Sequence, residues 1–231
     1  MHPLKNVIWQ ALTTRQAHFS ESRDGARRFM REVTSLCAFE HPNDHGYESL
    51  AGLTGTDGTA AVFLDHPYEG RGGWEYVAGA PLLQMVCENG IAGSGRQTSS
   101  PPIVELGASD SPEMLELTAM TKPGPFGPRT HELGYYVGIR DDGKLVAMAG
   151  ERLKVPGYTE VSAVCTHPNH LGKGYAAALM TQVMRGIRGR GETPFLHVRA
   201  DNSRAIAIYE RLGFHIAWKG HFAVLRRNGA E

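Results

Sequence analysis

Cysteine is scarce in this chain of 231 residues, which has three: Cys37, Cys87 and Cys165. An odd count with no CxxC spacing argues against a disulfide framework and against a structural zinc site. Reduced thiols in a cytoplasmic setting are the simple reading. Charge of one sign is not in excess either, with 24 Lys/Arg against 24 Asp/Glu, whereas a nucleic-acid binder usually carries a basic surplus. No apolar run approaches the ~20 residues that span a bilayer, so no membrane segment is expected. The opening Met1-His2-Pro3-Leu4-Lys5 lacks a charged stretch followed by an apolar one, which points away from a secretory leader. No metal is expected. Cys37, His41 and His45 stand four apart, but Pro42 disfavours a helical His41 and breaks the face that would gather them.

The charge that is present is unevenly spread. Residues 151–231 hold 12 Lys/Arg and 6 Asp/Glu, a net of +6, and residues 1–150 hold the opposite balance. A positive C-terminal third suits an anionic ligand; two oppositely charged solvated surfaces are the plainer alternative.

The clearest seam runs from Asn89 to Pro102, with three glycines, three serines and two prolines and no apolar period. It divides the chain, as read here, into an N-terminal α/β region (1–98), a linker (99–102) and a second domain (103–231). After the seam, strand and helix signals alternate. Strands are expected at 103–106, 135–140, 145–153 and 160–165, with Asp141-Asp142-Gly143-Lys144 as a hairpin turn. A helix capped by Ser111 runs from Pro112. From Gly174 the period becomes helical, with Ala176, Leu179, Met180, Val183, Met184 and Ile187 in one apolar stripe. A strand at 195–198 follows, then a helix opened by Asp201-Asn202-Ser203 with the stripe Ala205, Ile208, Tyr209 and Leu212. Two closing strands, 214–218 and 221–225, are expected around a Lys219-Gly220 turn. Before the seam, Gln16 to Cys37 reads as partly helical, and 60–64 and 82–87 read as strands.

The segment Val164-Cys165-Thr166-His167-Pro168-Asn169-His170-Leu171-Gly172-Lys173-Gly174-Tyr175-Ala176 carries the chemistry. A strand ends, a turn follows, and a glycine-rich bend opens an amphipathic helix. The first amides of a helix have no intrahelical acceptor, and the helix dipole adds roughly half a positive charge there. Gly172 and Gly174 let backbone approach an anion closely, and Lys173 adds a full charge. Neither a Walker A loop nor a GxGxxG dinucleotide fingerprint is present. A Gly-Lys-Gly tripeptide alone is more often a plain turn.

The whole segment resembles the acetyl-CoA-binding motif of the GNAT superfamily of N-acetyltransferases, Q/R-x-x-G-x-G/A. Gly174 and Ala176 fill its last two defined positions, and Leu171 stands where Gln or Arg is usual. Downstream, Asn202, Ala205, Tyr209 and Leu212-Gly213-Phe214 resemble the family's second motif. The resemblance covers about residues 103–227. It implies an α/β fold with a mixed, mostly antiparallel sheet and helices on both faces. It also implies acetyl transfer from acetyl-CoA, a cosubstrate, directly to an amine on a small molecule or peptide. The resemblance further implies site residues. The pantetheine arm pairs with the backbone of Val164, Cys165 and Thr166 where strand 160–165 splays from strand 195–198, and an amide near Val164 holds the thioester oxygen. The amides of Gly172, Lys173, Gly174, Tyr175, Ala176 and Ala177 bind the pyrophosphate. Asn202 touches the pantetheine, and Tyr209 points at the sulfur as the acid.

An alkyl ammonium, with a pKa near ~10.4, must lose a proton before it attacks. Glu160, where some family members place a base, is the candidate, directly or through water; a solvated or salt-bridged carboxylate at a strand edge is the alternative. Phe126, Arg129 and His131, in loop 122–134, are acceptor-pocket candidates. The acceptor's identity is not written in the sequence, and either a monomer or a homodimer fits. Two other classes compete: a non-catalytic acyl-CoA-binding module, and a nucleic-acid binder using the basic C-terminal third.

Overall fold

A computed structural model of the chain describes residues 2–55, 58–89 and 102–228. The expected linker falls almost wholly outside them. In chain order the regular elements are α1 (Val7–Thr13), β1 (Ser20–Arg23), β2 (Ala26–Phe29), β3 (Cys37–Phe39), α2 (Asp44–Thr54), β4 (Thr59–Leu64) and β5 (Trp74–Val86). After the seam come β6 (Ile103–Leu106), α3 (Ser111–Thr121), β7 (Tyr136–Asp141), β8 (Lys144–Val155), β9 (Tyr158–Thr166), α4 (Tyr175–Gly189), β10 (Thr193–Arg199), α5 (Ser203–Arg211) and β11 (His215–Arg227).

Eight strands form one sheet in the order β4-β11-β5-β10-β9-β8-β7-β6. Its pairs are antiparallel except β9 with β10. Strands β1 to β3 form a separate small sheet. The mixed, mostly antiparallel α/β architecture is therefore present, with helices on both faces. One face carries α4 and α5 on a core built around Leu179, Met180, Val183 and Met184. The other carries α1, whose Val7, Ile8, Ala11 and Leu12 pack with Val86 and Phe195. Helix α3 packs through Met114 and Leu117 beside Met148 and Cys165.

The expected division at 99–102 does not separate two sheets. Strands β4 and β5 come from before the seam, and β5 lies between β10 and β11. The two closing strands are likewise one 13-residue strand, β11. Gly220 is not a turn. A Cβ there would collide with the Trp218 ring and the Leu64 carbonyl, so the glycine admits a close approach between β11 and β4. Residues 16–37 form a short 3-10 turn and two strands rather than a helix, because their apolar side chains follow no helical period. The hairpin at 141–144 forms as its chemistry dictates, with Asp142 and Gly143 at positive φ.

Candidate active site

Strand β9 is bent by a bulge. Its ladder with β8 runs from Cys165 opposite Met148 to Ser162 opposite Gly150, so Ala163 and Val164 face a single residue. Ala163 takes φ +52°, a left-handed conformation that costs a non-glycine residue about 1–2 kcal/mol and re-aims the backbone beside it. On its other side β9 pairs with β10 only through Tyr158, Thr159 and Glu160, against Thr193, Pro194 and Phe195. Beyond Glu160 and Phe195 the two strands share no ladder. Residues 161–166 and 196–199 thus border a gap in the middle of the sheet, and Val164 sits on its rim within the bulge.

The glycine loop follows directly from β9. His167 N bonds the Val146 carbonyl at 2.7 Å, and His170 Nε2 lies 2.8 Å from Asp141, which ties the turn to the β7–β8 hairpin. Gly172 and Gly174 take φ +81° and +79°. A Cβ at either would meet nothing within 4 Å, so the loop surface is open to a ligand. Helix α4 starts at Tyr175, and its first intrahelical bond is Ala178 N to Gly174 O at 3.1 Å. The amides of Tyr175, Ala176 and Ala177 therefore have no acceptor inside the helix. The apolar stripe is as expected from Leu179 to Ile187, but Tyr175, not Ala176, is its first buried member. The Tyr175 ring stacks with His170 at 6.5 Å between centroids and has the Lys173 ammonium 5.8 Å from its centre.

Asn202 caps α5, its Oδ1 accepting from Ala205 N at 3.1 Å, so its NH2 is what remains for another contact. Tyr209 packs from α5 onto the α4 core, with its ring 6.2 Å from that of Phe214. Burial pushes its hydroxyl up to about 12, which keeps it a neutral donor. The Cys165 thiol belongs to the α3 cluster, and burial raises it to about 11 against hydrogen bonds with Thr121 and Met148. A thiol so held is not a nucleophile at neutral pH.

Glu160, the candidate base, is ion-paired within the sheet. Its side chain is fully buried. Arg152 donates to both carboxylate oxygens, Nε to Oε2 at 2.8 Å and Nη2 to Oε1 at 2.7 Å. Leu153 N adds a contact at 3.2 Å, and His197 Nδ1 lies 2.7 Å from Oε1. Burial alone would raise its pKa, but the Arg152 charge and the bonds from Arg152 and His197 outweigh this and hold it at about 2. Such a carboxylate is a feeble base. It is the centre of a buried polar row across five adjacent strands: Tyr136 on β7, Arg152 on β8, Glu160 on β9, His197 on β10 and Gln84 on β5. The Tyr136 hydroxyl at one end is buried without a hydrogen-bond partner among the described residues.

Sequence reading missed Arg152, His197 and Gln84. A histidine inside the apolar strand 195–198 was the available signal, but its partners stand 37 and 113 residues away. Of the loop candidates, Phe126 lines a narrow crevice with Tyr136, Arg152, Ser162 and Ala163. Arg129 is instead paired with Glu132 at 2.7 Å, and the His131 Nδ1 lies 3.1 Å from the Pro128 carbonyl.

Comparison with known proteins agrees with this geometry. The family model described as FR47-like protein matches residues 136–223, from β7 into β11. Mycothiol acetyltransferase of Streptomyces coelicolor is 39% identical over 88 residues, 35% of this chain and 26% of that protein. N-alpha-acetyltransferase RimI of Mycobacterium tuberculosis is 36% identical over 83 residues, 35% of this chain and 51% of that protein. The match thus spans about half or less of these curated relatives. A GCN5-related N-acetyltransferase from Kribbella flavida shares the fold at 18% identity and a TM-score of 0.60, over 98% of this chain and 94% of that one. The crystal structure of a putative acetyltransferase from Novosphingobium aromaticivorans aligns over 100% of both chains, at 33% identity and a TM-score of 0.89. That structure is described as coming from the GNAT family, and its likeness extends through the N-terminal strands as well as the motif-bearing half: the chain belongs to the GNAT family.

Proposed function

We propose that the chain is an acetyl-CoA-dependent N-acetyltransferase, which moves the acetyl group directly to an amine. One observation carries the reading: the gap between β9 and β10 lies next to the open glycine loop, whose amides have no acceptor in the helix. GNAT acetyltransferases use acetyl-CoA, and the residues here suit it. The amides of Gly172, Lys173, Gly174, Tyr175, Ala176 and Ala177 take the pyrophosphate at the positive end of α4. The gap-lining backbone of Val164, Cys165 and Thr166 pairs with the pantetheine arm, and the Asn202 NH2 reaches it. An amide at the Val164 bulge polarises the thioester oxygen.

Acetyl-CoA brings an acyl carbon activated by a sulfur leaving group. The chain's residues hold that carbon, stabilise charge on its oxygen and stabilise the departing sulfur. Tyr209 does the last. A thiol ionises near ~8.5, well below the buried hydroxyl at about 12, so Tyr209 serves by donating a hydrogen bond rather than by giving up its proton. Tyr209→Phe is therefore expected to lower kcat by about 10- to 100-fold, the worth of one hydrogen bond to a charged group. Acetyl-CoA affinity should hardly change. Single-turnover rates measure this; an unchanged rate would reduce Tyr209 to packing.

Ligand-induced stabilisation tests the reading itself. Acetyl-CoA at 100 times its dissociation constant adds about 2.7 kcal/mol, which for a chain of this size raises Tm by roughly 5–10 °C. NADH should give no shift. Thiol release with an amine panel should then show transfer. A shift without transfer to any amine would favour the non-catalytic binding module.

A further inference from the structure

Along β10 the side chains alternate between faces. Leu196 and Val198 join the α4 core, whereas Phe195 joins the α1 core. His197, in step with Phe195, points to the α1 face. There it lines a cavity of about 850 Å³ between the sheet and the N-terminal segment, a volume suited to a small-molecule site. Trp9, Phe39, Phe63 and Trp218 supply aromatic walls. Glu40, Asp65 and Glu88 line it too, against Lys5 as the one Lys or Arg among the lining residues, a balance that draws cations. His197 is the lining residue that lies on β10 beyond the point where β9 leaves it. His197 is thus common to the lining of the cavity and to the stretch of β10 that borders the gap.

The hydrogen bonds fix the state of that ring. Gln84 Nε2 lies 3.3 Å from the Leu4 carbonyl, which can only accept, so the amide nitrogen also faces His197 Nε2, at 3.1 Å. Nε2 is thus the acceptor, and Nδ1 carries the hydrogen donated to Glu160 at 2.7 Å. The other charged neighbour is Arg152, which locks Glu160; the Phe63 ring lies tilted against the imidazole, with centroids 4.5 Å apart. Among titratable groups, His2, His41, His215 and Tyr158 also line the cavity. Burial lowers the His197 pKa below its usual value, with Glu160 opposing and Arg152 adding to the fall, so the ring is neutral at pH 7.

We propose that this cavity is the acceptor site, that its occupant is a small molecule bearing a cationic amine on an aromatic or apolar body, and that His197 takes the amine's proton. The proposal rests on the acetyltransferase reading above. An ammonium N–H bond breaks, and its proton passes to His197 Nε2, displacing the Gln84 contact. Glu160 offsets the charge on the resulting imidazolium. The freed lone pair forms the bond to the acetyl carbon while the C–S electron pair leaves with sulfur; the acetylated nitrogen then gives its second proton to solvent, and the thiolate takes one from solvent. His197 returns its own proton to solvent.

The test is steady-state thiol release by the full chain with an arylalkylamine, a free amino acid and a short peptide with an N-terminal alanine. The arylalkylamine should be preferred in kcat/KM by about tenfold or more, a difference of 1.4 kcal/mol. Ala217 lines the cavity with an exposed side chain, so Ala217→Trp can fill it without disturbing the core. It should raise KM for the arylalkylamine by about tenfold, with the acetyl-CoA-induced Tm shift intact. His197→Gln should lower kcat by about 100-fold and abolish the acid limb of the kcat/KM profile, again with the Tm shift intact. Preference for the peptide, an unchanged KM in Ala217→Trp, or an unaltered pH profile in His197→Gln overturns the assignment. Loss of the acetyl-CoA shift in the wild-type chain would instead overturn the acetyltransferase reading.

Discussion

Gly174→Asp is expected to weaken acetyl-CoA binding by nearly a thousandfold. The residue is the N-cap of α4 at φ +79°, and a side chain built on it points into open space rather than into protein. That open space is where an anion must lie to reach the free amides of Tyr175 to Ala177. A carboxylate about 4 Å from one pyrophosphate charge costs about 4 kcal/mol at the effective dielectric of a protein surface, and every 1.4 kcal/mol is tenfold in affinity. The buried stripe of α4 is untouched, and aspartate tolerates left-handed backbone better than most residues. Melting without ligand should therefore move little. Isothermal titration with acetyl-CoA, beside Gly174→Ala to isolate the backbone effect, measures both contributions. Wild-type affinity in the aspartate variant would place the pyrophosphate elsewhere.

What was legible in the sequence was local. The glycine turn, the α4 stripe, the Asn202 cap and the Asp142-Gly143 hairpin each depend on residues a few positions apart, so spacing alone reveals them. The sheet's outer half was not legible. Gly220 reads as a turn because a glycine that admits a neighbouring strand and a glycine that turns the chain look alike without the partner, here Leu64 on β4. The insertion of β5 between β10 and β11 depends on a register running from Trp74 opposite Arg227 to Val86 opposite His215, which no local pattern encodes. The buried row failed for the same reason. Glu160 reads as a strand-edge carboxylate until Arg152, eight residues earlier, and His197, 37 later, are seen closing on it. The N-terminal region, whose role the sequence left blank, supplies two strands of the main sheet, the Leu4 carbonyl that orients Gln84, and most of the wall of the large cavity.

Arg152→Met is expected to destabilise the protein by about 3–5 kcal/mol, the usual result of removing one partner of a buried ion pair. Arg152 and Glu160 are both almost without solvent exposure, at 8% and 0% of their side-chain surface. Methionine fills much of the volume but leaves the carboxylate with His197 and the Leu153 amide alone. Such a loss is a large part of the total stability of an ordinary domain and should lower Tm by about 10 °C. If the uncompensated charge is the cause, adding Glu160→Gln to Arg152→Met should recover part of the loss, and a urea midpoint lower still in the double variant would argue against it. The wild-type pair also sets a pH dependence whose sign is fixed. Glu160 ionises at about 2 in the folded chain against a reference value of 4.5, so folding favours the charged form. At about 1.4 kcal/mol per pH unit this contributes about 3 kcal/mol. The contribution is complete above pH 4.5 and is lost as pH falls toward 2. The stability difference between wild type and Glu160→Gln should therefore be constant from pH 7 to 5 and shrink below that, followed as urea midpoints across the range. A difference that grew on acidification would mean that Glu160 is held protonated, and the Arg152–Glu160–His197 row would then lack the negative centre on which the neutral His197 base depends.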